Sequence, residues 1–277
     1  MPSLRERVMR RLVIVPAFFV LFWAGGAWAC GPDTDCRIGD RHYRIALPKE
    51  QTEGPVGAII YAHGYRGSAA AVMRNANLRR MVSDMGLALI ALKSADDDWV
   101  IPSSPSHMEA DGSVEYRYVE AVIEDAVGRF SLDTTRLMAA GFSAGGMMVW
   151  NLACTMPERF AGFAAIAGTF WKGPPDSCET PAASLVHIHG RSDPTVPLDG
   201  RPIRETWQGK VSESMDMYEH LGGFSPAGYL TEGDLECQSR RNPQGQILEL
   251  CLHPGGHSFR SSYVKFAWER LQAAGQL

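Results

Sequence analysis

The sequence predicts an α/β fold, with a mostly parallel central sheet and helices on both faces. Three observations carry this. Val56 to Ala62 and Leu87 to Leu92 are nearly continuous apolar runs, as in strands buried on both faces. Stretches of helical spacing separate such runs, so the units read as strand, helix, strand. Finally, Gly141-Phe142-Ser143-Ala144-Gly145 joins one apolar run, Leu137 to Ala140, to a helical stretch that meets no breaker before Pro157.

The chain has 277 residues, enough for one domain with a full core. Its first 29 residues read as an export signal and are set apart from the fold, leaving 30–277 as a single domain. Arg5, Arg7, Arg10 and Arg11 give a basic start, Leu12 to Trp23 an uncharged apolar run, and Ala27-Trp28-Ala29 a small-x-small cleavage pattern. A secreted or periplasmic location follows as an expectation. The formal charge of -4 gives no reason to expect nucleic acid as a partner.

All six cysteines lie beyond the expected cut, as suits an oxidising compartment. No C-x-x-C is present, so a zinc centre lacks support, and neither metal nor cofactor is expected. Six cysteines allow 15 connectivities. Proximity favours Cys30–Cys36, then Cys237–Cys251 across a hairpin turn at Asn242-Pro243-Gln244-Gly245, leaving Cys154 for Cys178.

Taken in order, Arg41 to Leu47 alternates like an edge strand, and Val56 to Ala62 ends at His63-Gly64-Tyr65-Arg66-Gly67. One helix is expected from Ala69 until Gly86 stops it, then the Leu87 to Leu92 strand and a polar connection from Ser94 to Gly112. Val114 to Phe130 reads as a helix, followed by the strand and helix around Ser143. Phe163 to Ala167 and Ser184 to His189 are strands joined through Phe170-Trp171. A helix near Val211 to Leu221, the hairpin, and a helix from Tyr263 to Ala273 complete the chain.

Serine is a weak nucleophile at neutral pH. It needs a base, and the base needs a third group to fix its tautomer. The glycines around Ser143 suit a sharp strand-to-helix turn that raises its hydroxyl, and the partners in such folds follow in the order acid, then histidine. Asp193 comes just past a strand and His257 in a glycine-rich loop. Asp199 and His253 are the competing choices, and His187 and His189 suit a strand interior better. Charge developing on a carbonyl oxygen would be met by the Ala144 and Tyr65 amides. His63 reads as a brace for the Tyr65 loop. Trp99 and Trp171, with the Tyr65 side chain, could line a substrate pocket, although ordinary core packing is as good a reading for each.

His-Gly-x-x-Gly at 63–67, Gly-Phe-Ser-Ala-Gly-Gly-Met-Met at 141–148, His-Gly-x-x-Asp-Pro-x-Val-Pro at 189–197 and Gly-Gly-His-Ser at 255–258 together resemble the polyhydroxybutyrate depolymerase and feruloyl esterase family of α/β-hydrolases. The resemblance runs over about residues 40–275. It implies an α/β-hydrolase fold and ester hydrolysis, with Ser143 as nucleophile, Asp193 and His257 as its partners, and Tyr65 and Ala144 as oxyanion donors. Tyr65-Arg66 departs from the small residues or cysteine often found there. The Gly168 to Ala183 connection is too short for a large cap domain, so an open cleft is expected. Ester substrates of polyester, feruloyl, acetyl or small type fit this reading. A serine peptidase on the same fold and a non-catalytic secreted binding protein are the rival readings.

Overall fold

The computed structural model describes residues 30–50 and 54–277. The expected export signal lies outside the described residues. Ten strands form one sheet. In chain order these are β1 (Cys36–Ile38), β2 (Arg41–Ala46), β3 (Val56–Ala62), β4 (Ala88–Ala91), β5 (Leu132–Phe142), β6 (Gly162–Ile166) and β7 (Leu185–Gly190), followed by β10 (Ser225–Glu232), β11 (Leu235–Arg241) and β12 (Ile247–His253). A separate ribbon pairs β8 (Arg201–Ile203) with β9 (Thr206–Gln208). The order across the large sheet is β1-β2-β4-β3-β5-β6-β7-β12-β11-β10. The centre, from β4 to β12, is parallel, and both flanks are antiparallel.

Burial on both faces explains the apolar runs. Along β3, Ala58, Ile60 and Ala62 join one core while Ile59 and Tyr61 join the other. The first core is roofed by α3 (Ser113–Arg129), α4 (Ala144–Thr155) and α5 (Val211–Gly222), which bury Val119, Trp150 and Tyr218. The second is covered by α1 (Ala69–Arg74), α2 (Ala76–Asp84) and α6 (Ser261–Ala273), which contribute Val72, Leu78 and Trp268.

Several elements depart from the sequence expectation. β2 is not the edge, because β1 pairs outside it. The single helix expected after Ala69 is broken at Asn75, whose side chain accepts the Leu78 N–H and so starts α2 afresh. β8, β9 and β10 were not foreseen. β10 is almost wholly exposed and owes its strand geometry to pairing with β11.

The disulfides join Cys30 to Cys36, Cys154 to Cys178 and Cys237 to Cys251, as sequence proximity favours. Cys237 and Cys251 are direct cross-strand partners in the β11–β12 ladder. In a chain-entropy picture a loop of this size is worth about 3 kcal/mol. Cys154–Cys178 fastens the β6–β7 connection to the end of α4.

Candidate active site

Ser143 stands between the end of β5 and the start of α4. Its backbone has φ 59 and ψ -123, an unfavourable region for a residue with a side chain. The strain is held by backbone pressed on backbone. The Ser143 N–H donates to the Ile166 carbonyl at 2.9 Å. A Cβ on Gly145 would stand 2.0 Å from the Ala62 carbonyl oxygen, and one on Gly141 2.3 Å from that of Gly145. Only glycine lets β3, β5 and α4 approach so closely.

Three residues distant in sequence meet above this turn. His257 Nε2 lies 2.9 Å from Ser143 Oγ, and His257 Nδ1 lies 2.7 Å from Asp193 Oδ2. A carboxylate can only accept, so Nδ1 carries the proton and Nε2 is left to accept from the serine hydroxyl. The imidazole lies near Phe142, with ring centroids 4.6 Å apart. Asp199 is exposed. His253 is buried, accepts the Gly255 N–H and stacks on Tyr263. Neither of these alternatives is bonded to Ser143 or His257.

Asp193 is buried and heavily bonded. Its Oδ1 accepts the N–H groups of Thr195 at 2.8 Å and Val196 at 2.9 Å. Burial alone would raise its pKa, but hydrogen bonds from His189, Val196, His257 and Thr195 outweigh it and hold the carboxyl well below its usual range.

Behind Asp193 runs a buried line of rings. The Trp150 Nε1–H donates to His187 Nδ1 at 3.2 Å. Indole is a donor only, so the His187 proton sits on Nε2, which faces His189 Nδ1 at 3.0 Å. His189 therefore presents its own Nε2–H to the Val196 carbonyl at 2.7 Å, with Asp193 Oδ2 3.5 Å away. His187 and His189 share one face of β7 because side chains repeat every second residue. Desolvation drives the His187 pKa well down, as a ring acting as an uncharged spacer requires.

The loop after β3 lies against Ser143, since a Cβ on Gly64 would stand 3.5 Å from that of Ser143. His63 braces this loop. Its Nδ1 contacts the Gly64 carbonyl at 2.8 Å, and its Nε2 accepts the Ser94 N–H at 3.2 Å. Burial pushes its pKa down to about 4, so it remains neutral. Ala144 is the first residue of α4, where amides have no carbonyl to meet within the helix.

A cleft of about 300 Å³ opens above Ser143, lined by Tyr65, Ala144, Met147, Trp171 and residues of the β8–β9 ribbon. Trp99, suggested above as a lining residue, is fully buried beneath the site. Its indole N–H donates to the His63 carbonyl at 2.8 Å, and that bond draws the ring into the core. Sequence reasoning missed the ribbon, whose three-residue strands are too short for alternation to register.

The family model described as phospholipase/carboxylesterase matches residues 95–221, a span that includes Ser143 and Asp193. A Nocardia uniformis subsp. tsuyamanensis protein named as an esterase, NocK, is 27% identical over 235 residues, 77% of this chain and 67% of that protein. An Aspergillus terreus protein named as feruloyl esterase C is 33% identical over 168 residues, 59% of this chain and 58% of its own length. The chain thus spans about three-fifths of that fungal relative. Among solved structures, the acetyl xylan esterase from Aspergillus awamori superposes with a TM-score of 0.63 at 14% identity, covering 88% of this chain and 96% of the other. The chain thus has the α/β-hydrolase fold, and the relatives and the solved structure it resembles are named as esterases.

Proposed function

We propose that the chain is an exported serine esterase in which Ser143, His257 and Asp193 carry the reaction, acting on acyl esters of the feruloyl or acetyl kind. The supporting observation is the unbroken line from Ser143 Oγ through His257 to Asp193, at 2.9 and 2.7 Å. Ser143 Oγ attacks the acyl carbon as its proton passes to His257 Nε2. Asp193 stabilises the imidazolium and keeps the ring facing the serine. The oxygen that becomes negative is met by the amides of Ala144 and Tyr65. His257 returns the proton to the departing alcohol, and water, activated by the same imidazole, then clears the acyl-enzyme. The ribbon-edged cleft beside Trp171 leaves room for a bulky acyl or alcohol group.

Export is supported by the three disulfides, which leave no free cysteine among the described residues. The substrate class is supported by the names of the relatives, and a panel of feruloyl, acetyl and hydroxybutyrate-oligomer esters ranks it. The decisive variant is Ser143→Ala. It is expected to lower kcat on nitrophenyl acyl esters roughly 10⁴-fold or more with unfolding unchanged, and to lose labelling by a fluorophosphonate probe. Turnover equal to the parent's would reject the assignment.

A further inference from the structure

The cleft above Ser143 holds two cations that bond-breaking does not use. Arg201 and Arg204 both line it and both are exposed. Arg201 donates through Nε to Gln208 Oε1 at 3.1 Å, and its terminal amino groups meet no partner among the described residues. Arg204 has no ion pair or hydrogen bond to any described residue, although Glu205 is its immediate neighbour.

The placement of Arg204 is not that of a loose surface side chain. It sits in the two-residue turn between Ile203 and Thr206 at φ 54, the left-handed region that favours glycine and disfavours residues carrying a Cβ. A relaxed turn would carry glycine or asparagine there. The ribbon presenting it is fastened to the cleft wall at several points. Thr206 Oγ1 donates to the Ser103 carbonyl at 2.9 Å, and the Lys172 N–H to the Trp207 carbonyl at 2.8 Å. The Gly209 N–H donates to the Phe170 carbonyl at 2.8 Å, and Trp171 bridges to Gln208.

One acid also lines the cleft. Asp98 is buried, its Oδ1 already accepts the Trp99 N–H, and burial raises its pKa. No ion pair or hydrogen bond joins it to Arg201 or Arg204 among the described residues.

We infer that Arg201 and Arg204 form a subsite for a carboxylate carried by the substrate, so that the preferred esters bear a free acid group besides the ester under attack. This rests on the esterase reading above. Guanidinium groups match a carboxylate with paired, charge-assisted hydrogen bonds, and a ribbon anchored at both ends holds them ready before the substrate arrives.

The test compares two nitrophenyl esters of similar length, the butyrate, ending in a methyl, and the glutarate monoester, ending in a carboxylate. The parent protein should show a higher kcat/KM for the glutarate. The ratio of the two values should fall at least tenfold in the doubly substituted Arg201→Gln, Arg204→Gln protein. It should fall similarly in the parent at 1 M salt, an arm that needs no substitution to fold. A ratio that stays within twofold in both arms overturns the subsite. A third arm measures binding of the glutarate ester to Ser143→Ala, with and without the two arginines. If the parent hydrolyses neither ester, the esterase reading fails. Arginine-dependent binding in the third arm would then still uphold the subsite, and its absence would reject it.

Discussion

Ser143 is held by backbone pressed against backbone. Asp193 and His257 are held instead by directed hydrogen bonds, from the Thr195 and Val196 amides and from one to the other, backed by a buried line of rings. At the turn, Gly141, Gly145 and the Ala62 carbonyl leave no volume for a methyl group, and geometry follows from exclusion. Behind Asp193, position follows from directed bonds through His189, His187 and Trp150. Packing of the first kind fails as a unit when volume is added. A polar line of the second kind can lose a member and keep the fold, while charge and orientation at its end are altered.

That contrast can be broken by experiment. The largest effect is expected from Asp193→Asn, which keeps the shape but misdirects the imidazole proton. Its kcat should fall about 10⁴-fold while far-UV circular dichroism stays that of the parent. A variant keeping a tenth of parental activity would show that orientation comes from elsewhere. Gly145→Ala probes the other side. The added carbon would sit 2.0 Å from a backbone oxygen that cannot rotate away, and a loss of about 3 kcal/mol or more in urea unfolding is expected. A melting curve superimposable on the parent's would refute steric locking of the turn.

Acid should sharpen the comparison further. His63 is buried neutral, with its pKa pushed by desolvation from 6.5 to about 4. The unfolded chain therefore binds the proton more readily than the folded one. The stabilisation is complete above about 6.5 and is lost as pH falls toward about 4. At 1.36 kcal/mol per pH unit this window is worth about 3 kcal/mol. His187 is displaced in the same direction, so thermal midpoints measured from pH 7.5 to 4.5 should fall before ordinary carboxylates titrate. A flat profile above pH 4.5 would mean that neither ring is kept neutral by the fold. The smallest effect is expected from Trp150→Phe, which removes the indole donor and leaves His187 Nδ1 unsatisfied. Urea unfolding should show a loss of about 1–2 kcal/mol, and no loss would mean that the ring line carries no load.

The legibility of the sequence follows the same division. The turn around Ser143 could be read because steric exclusion leaves a local mark, glycine two residues to either side of the serine. The central strands could be read because burial on both faces makes them apolar throughout. The ring line behind Asp193 left only a hint in the alternation Val186-His187-Ile188-His189. Its partner Trp150 lies on a helix far along the chain, and no local pattern joins them. β10 was illegible for the opposite reason, being exposed and mixed in character with its geometry imposed by a neighbour. Trp99 misled because an aromatic residue in a polar loop suggests a pocket wall, whereas its indole proton had a buried carbonyl to satisfy.

β7 and β12 are adjacent rungs of the parallel sheet, with Gly190 beside His253. Asp193 and His257 thus follow the ends of neighbouring strands, although 64 residues of chain divide them. Their spacing is dictated by the ladder and is indifferent to the length of the excursion between. The far hairpin of β10 and β11 is accordingly a natural place to shorten, extend or graft new sequence while the two groups keep their distance.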